Sequence, residues 1–102
     1  MRIRIAPTAF KDMEVASEWW LRNRLAAPRL LEQELRDALA QLAETPFAGH
    51  LTKDKEPAFR HVRRLYLPAT RYFLYYRVVE KDGVVDVLRL WHASRGGMPK
   101  MP

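Results

Sequence analysis

The residues of this chain that could do chemistry are arginines and a histidine in its last third. His92 is followed three residues later by Arg95. That spacing could set an imidazole that titrates near neutrality beside a guanidinium that grips a phosphate. Upstream, Arg60, Arg63 and Arg64 crowd together, and Arg71 and Arg77 bracket the aromatic run Tyr72-Phe73-Leu74-Tyr75-Tyr76. Guanidiniums in such a set could stabilise charge building on a phosphate under attack by a ribose 2′-hydroxyl. They could equally pair with the carboxylates of a protein partner, or simply keep an edge strand solvated. His92 likewise has a plainer role open to it, as a cap on the last strand. His50 and His61 lack metal-ligand spacing and the chain has no cysteine, so neither a metal site nor a cofactor is expected. Asp12, Glu14 and Glu18 fall in one helical stretch with no partner poised for acid–base work, and no phosphate-binding glycine loop or nucleophile elbow is present.

The charge is unevenly distributed. Residues 1–56 carry 9 Lys/Arg against 9 Asp/Glu, whereas residues 57–102 carry 9 against 3, so the net +6 lies wholly in the second part. A neutral scaffold followed by a basic segment suits a module that engages something anionic. Arginine outnumbers lysine 13 to 5, which favours planar, bidentate recognition over mere solubility. With 102 residues, one domain spanning 1–102 is expected. No apolar run has the length of a membrane span or a signal peptide, and the expected setting is the cytoplasm.

The elements that must position these groups follow from periodicity. Arg2-Ile3-Arg4-Ile5 alternates as a short strand with both isoleucines inward. Pro7 ends it and Thr8 can cap a helix over 9–25, whose inner face is Phe10, Met13, Ala16 and Trp20. The adjacent Trp19 and Trp20 cannot share one core, so one of them is left partly exposed. Pro28 opens a second helix over 29–44 with Leu31, Leu35, Ala38, Leu39 and Leu42 inward, and Thr45-Pro46 stops it. A polar connector leads to three strands at about 59–67, 71–80 and 84–92, joined by turns at Pro68-Ala69-Thr70 and Lys81-Asp82-Gly83. By alternation, Arg60, Val62, Arg64 and Tyr66 share one side of the first of these, and Phe59, His61, Arg63 and Leu65 the other. In the next strand Tyr72, Leu74, Tyr76 and Val78 face the core. Arg71, Phe73, Tyr75 and Arg77 form an opposite face that helices on one side only would leave open. The fold class is α+β, in the order βααβββ, with the N-terminal strand and helical hairpin packed on a mainly antiparallel sheet.

That order, with Tyr72-Phe73-Leu74-Tyr75-Tyr76-Arg77-Val78 as central strand, Arg63-Arg64-Leu65 before the turn and His92-Ala93-Ser94-Arg95 at the end, resembles the ParE/RelE superfamily of toxins from bacterial type II toxin–antitoxin systems. The resemblance covers nearly the whole chain and implies a small toxin held in check by a cognate, ParD-like antitoxin. One branch comprises ribosome-dependent ribonucleases that cut mRNA; the other poisons DNA gyrase. The ribonucleases often place an arginine directly after the first tyrosine of the central strand, and Phe73 stands there instead. The resemblance therefore favours the ParE-like branch, a gyrase inhibitor with no chemistry of its own. The antitoxin or target would contact Arg60, Arg63, Arg64, Arg71, Phe73, Tyr75, Arg77 and Trp19. In the ribonuclease alternative, acting on the ribosome and mRNA, Arg64, Arg71, His92 and Arg95 would be the catalytic set.

Overall fold

A computed structural model describes residues 1–102. The chain runs β1 (Arg2–Ile5), α1 (Pro7–Asn23), α2 (Leu30–Glu44), β2 (His50–Leu51), β3 (Val62–Leu67), β4 (Tyr72–Val79) and β5 (Val84–His92). The strands form one sheet in the order β1-β5-β4-β3-β2, with β1 parallel to β5 and every other pairing antiparallel. This is the expected α+β architecture of two helices on a mainly antiparallel sheet, with one strand more than the sequence suggested. His50 and Leu51 pair with Arg64 and Arg63, so the polar connector supplies a short outer strand.

Several boundaries differ for local reasons. Pro7 is the first helical residue of α1, where its missing N–H loses nothing. Thr8 does not cap; its Oγ1 donates to the Leu88 carbonyl and ties α1 to β5. The second helix starts at Leu30 rather than at Pro28, which lies in the inter-helix turn. Phe10 is exposed, and Ala9 takes the buried position one residue earlier. Ile5 is also exposed, at the end of an edge strand. Residues 59–61 are not β3, because Phe59 ends a short 3₁₀ turn and His61 adopts left-handed φ of 61°. The alternation is broken there, so Phe59 packs on the same side as Val62 instead of with Arg63 and Leu65.

The main core lies between the helices and one sheet face. Ala16, Trp20, Leu31, Leu35 and Leu42 meet Leu74, Tyr76, Val85, Val87 and Leu90, with Tyr72 at one end. Tyr72, Leu74, Tyr76 and Val78 thus share the helix-facing side of β4, as alternation requires. Leu88 faces the other side by alternation from Val87, and a bulge in β5 opposite Tyr75/Tyr76 then shifts the phase so that Leu90 returns to the helix side. The face that Leu88 joins is not open. A second cluster of Phe59, Val62, Tyr75 and Leu88 is roofed by Met98 and Met101 of the C-terminal tail, and Pro99 is fully buried. Tyr75 has no exposed surface at all. The strand period showed only that Tyr75 faces away from the helices; the tail folding back is a tertiary event.

Two side chains lock the frame. The Glu34 carboxylate on α2 accepts from Ala69 N (2.7 Å), Thr70 N (2.9 Å) and the Thr70 hydroxyl, pinning the β3–β4 turn to the helix. On α1, Asp12 accepts from Arg89 Nε (2.7 Å) and Nη2 (3.1 Å) and from Leu90 N (3.0 Å), where β5 has run past its partner strand. Each member of this ion pair keeps only 19 % of its side-chain exposure, so the pairing is worth more than a surface bridge.

Candidate functional site

The arginines singled out in the sequence are distributed over two faces. Arg64 lies over the Phe73 ring, 4.2 Å from its centroid, and Tyr66 packs on the same ring at 5.1 Å. With His50, Leu51 and Met98 they line a groove of about 570 Å³ on the tail-covered side of the sheet. Tyr66 and Leu51 stay exposed, so the groove has an aromatic and aliphatic rim beside a free cation.

Arg63 and Arg77 have internal work. Arg63 Nη1 donates to the Gly49 carbonyl (2.9 Å) and its guanidinium covers Phe47, holding the connector against β3. Arg77 Nε and Nη2 donate to the carbonyls of Arg60 and Ala58, at 3.1 and 3.2 Å, and satisfy the turn before β3. Arg60 itself points to solvent. Of the expected face, Tyr75 is thus buried and Arg77 bound internally, leaving Phe73, Arg64 and Arg60 available.

Arg71 is elsewhere. Its φ of 67° places it in the β3–β4 turn rather than on β4, and its carbonyl accepts from Ala93 N. The turn carries it into a cleft of about 680 Å³ between α1 and the ends of β4 and β5. Trp19, Arg24, Tyr72, His92 and Arg95 line the same cleft. Trp20 is buried while Trp19 remains 45 % exposed, the two indoles meeting edge to face at 6.2 Å. The Arg24 guanidinium sits 4.8 Å from the Trp19 ring and 5.5 Å from that of Trp20. Arg95 lies over Trp91 at 3.7 Å. The Tyr72 hydroxyl is pushed above the usual tyrosine range by burial. The neighbouring Trp20 indole and the charges of Arg24 and Arg95 pull the other way.

His92 packs edge-on against Tyr72 at 4.7 Å. Its Nδ1 accepts from Ser94 N (3.1 Å) and lies 2.7 Å from Ser94 Oγ. An N–H donated to Nδ1 leaves the imidazole proton on Nε2. The imidazole therefore closes the turn after β5, and Nε2 is the edge left to act as a donor.

The structure thus lines one cleft with Arg71, His92, Arg95 and Trp19 and places Arg64 in the other groove. Sequence reasoning missed Arg24 and Tyr72. Arg24 lies four residues after Trp20 and five after Trp19, a spacing that stacks a cation on a helical aromatic pair. Tyr72 was assigned to the core, and it closes the core only by reaching the cleft floor. No group of three His, Asp, Glu or Cys side chains could hold a metal ion. No helix is long and apolar enough to cross a membrane.

A profile of the family described as "ParE toxin of type II toxin-antitoxin system, parDE" matches residues 3–96. The chain belongs to the ParE toxin family. Among solved structures, the toxin is similar to the chromosomal ParDE system of P. aeruginosa, with TM-score 0.66 and 19 % identity over 90 % of this chain and 95 % of that one. It is also similar to the isolated E. coli RelE toxin, with TM-score 0.62 and 22 % identity over 93 % and 86 % of the two chains. At these identities the two structures speak for the fold, and the family match speaks for a ParE-type toxin of a type II toxin–antitoxin system. No curated protein sequence matches the toxin.

Proposed function

We propose that this ParE-family toxin inhibits DNA gyrase through a binding surface, without covalent chemistry of its own, and is neutralised by a cognate antitoxin. The observation that carries it is Phe73. At the position where the ribonuclease branch grips phosphate with arginine, this chain has an aromatic ring packed between Tyr66 and Arg64. Two features support this over mRNA cleavage. Arg64 lines a different groove from Arg71, His92 and Arg95, so the expected catalytic set is divided between two pockets. His92 Nδ1 is occupied by Ser94, so it cannot act as a base through that nitrogen.

The surface we assign to protein partners is the groove of Leu51, Arg64, Tyr66 and Phe73, with Arg60 outside it. Exposed aromatics beside an arginine are the composition of binding hot spots. A disordered acidic segment of the antitoxin could fold across it. The test is a supercoiling assay with purified gyrase, run alongside a translating ribosome extract. The toxin should block supercoiling and leave mRNA intact. Untouched gyrase with cleaved message would sink the proposal. Phe73→Ala and Arg64→Glu should weaken gyrase inhibition without changing the fold.

A further inference from the structure

The cleft between α1 and the ends of β4 and β5 is not needed for that reading, yet it is built like a ligand site. Three arginines, Arg24, Arg71 and Arg95, line it, and none has a carboxylate partner: the ion pairs of the molecule involve Arg4, Arg22, Arg29 and Arg89. The single acidic residue of the cleft, Asp12, is already held by Arg89 and the Leu90 amide. Like charges gathered without a counter-charge repel one another, and an anion among them relieves that repulsion.

The orientation of the groups narrows the anion. Arg24 lies over the two indoles and Arg95 over Trp91, and the guanidinium N–H groups of both have no protein acceptor, which leaves them available to a bidentate anion. Arg71 is held at left-handed φ, a conformation that glycine would adopt at less cost, so its side chain is retained there against backbone preference. His92 adds an Nε2–H donor. Beside these cations, the half-exposed indole of Trp19 offers a flat apolar wall. The volume, about 680 Å³, is in the range of sites that bury a small organic ligand.

An extended peptide would find the edge of β5 partly occupied. Along this edge of β5 the Leu88 carbonyl is taken by Thr8 and the Leu90 amide by Asp12. Two of the groups that strand addition would use are thus already taken. A doubly charged group beside a planar ring meets every feature that remains. We propose that this cleft binds a nucleoside phosphate, its phosphate among Arg24, Arg71 and Arg95 and its base against Trp19. The nucleotide could be free or part of a single strand, since both present the same phosphate and base.

Calorimetric titration of the full-length toxin tests this with adenosine 5′-monophosphate, inorganic phosphate, adenosine, a short oligothymidine and a short polyglutamate peptide. The monophosphate should bind at least about tenfold more tightly than phosphate or adenosine alone, because each lacks one half of the recognition. Arg71→Gly relieves the left-handed backbone, so it should melt no lower than the parent yet lose about tenfold in affinity. Trp19→Ala should weaken the monophosphate and leave the affinity for inorganic phosphate unchanged. Arg36→Ala, an exposed cation on α2 outside the cleft, should bind as the parent does. Tighter binding of oligothymidine than of the monophosphate assigns the source to a single strand; equal or weaker binding assigns it to free nucleotides. No binding of any phosphate, an affinity indifferent to Arg71→Gly and Trp19→Ala, or polyglutamate that binds as tightly as the monophosphate, would overturn the proposal.

Discussion

Nothing larger than hydrogen fits on the Cα of Gly49. A Cβ there would lie 2.6 Å from the Tyr76 hydroxyl oxygen and 2.7 Å from the Arg64 carbonyl. The Gly49 amide donates to that hydroxyl at 2.8 Å, so the close approach is also the contact that satisfies a buried phenol. Gly49→Ala should therefore destabilise by about 1–3 kcal/mol through overpacking against backbone, read as a lower urea midpoint at unchanged m-value. Burial raises the pKa of both Tyr76 and Tyr72 above the ordinary tyrosine value of about 10. A raised pKa means that the folded state holds its proton more tightly than the unfolded chain does. The stability is then fully present below pH of about 10 and falls as the pH rises through the folded-state values. Urea midpoints measured across the alkaline range should decline from that point, and Tyr72→Phe should make the decline shallower.

The C-terminal tail behaves as an element although it has no regular structure. Gly97, at left-handed φ of 69°, turns the chain back so that Met98, Pro99 and Met101 cover the second cluster. Arg89 Nη1 holds it by donating to the Lys100 carbonyl at 2.7 Å. Beneath it, the Tyr75 hydroxyl and the Trp91 indole N–H are buried without hydrogen-bond partners, so this roof is apolar and imperfectly matched. Met98→Ala combined with Met101→Ala should lower stability by about 1–3 kcal/mol, less than a fully buried pair would cost because both residues are partly exposed. Dye binding to exposed apolar surface should rise in the same variant. If stability and dye binding are both unchanged, the tail does not cover the cluster in solution.

At the scale of the molecule, the charge is a property of one half of the chain and of two separate surfaces. A net charge of +6 should steer an acidic antitoxin, whereas buried aromatic area should set how long it stays. Raising salt is expected to slow association several-fold and to change dissociation little. Arg64→Glu should act on the association rate and Phe73→Ala on the dissociation rate, both measurable by stopped-flow mixing and surface-bound dissociation. The earlier picture of one continuous face would have put Arg71 and Arg77 with them. The structure places Arg71 in the cleft and uses Arg77 to hold the turn before β3, so reversing charge at Arg77 should cost stability before it costs binding.

The sequence by itself determined the order of every helix and strand but the two-residue β2, because hydrophobic periods of 3.6 and 2 are local properties. It placed β5 at 84–92, put Tyr72, Leu74, Tyr76 and Val78 on the helix side, and stopped α2 before Pro46. The basic sheet region and the family were legible for the same reason: composition and motif order survive without coordinates. Only tertiary structure decided which side of the sheet was open. Alternation assigns Tyr75 to a face, but a tail folding over that face leaves no period in the sequence. Two single-residue conformations also escaped. Left-handed backbone at His61 and Arg71 lies outside what a non-glycine residue announces, and each swings its neighbours out of the strand pattern. The cleft depended on the left-handed turn at Arg71. Its six principal side chains come from α1 and the residue that follows it, the β3–β4 turn, two strand ends and the turn after β5, and they become one surface because Glu34 and Asp12 clamp the helices to the sheet.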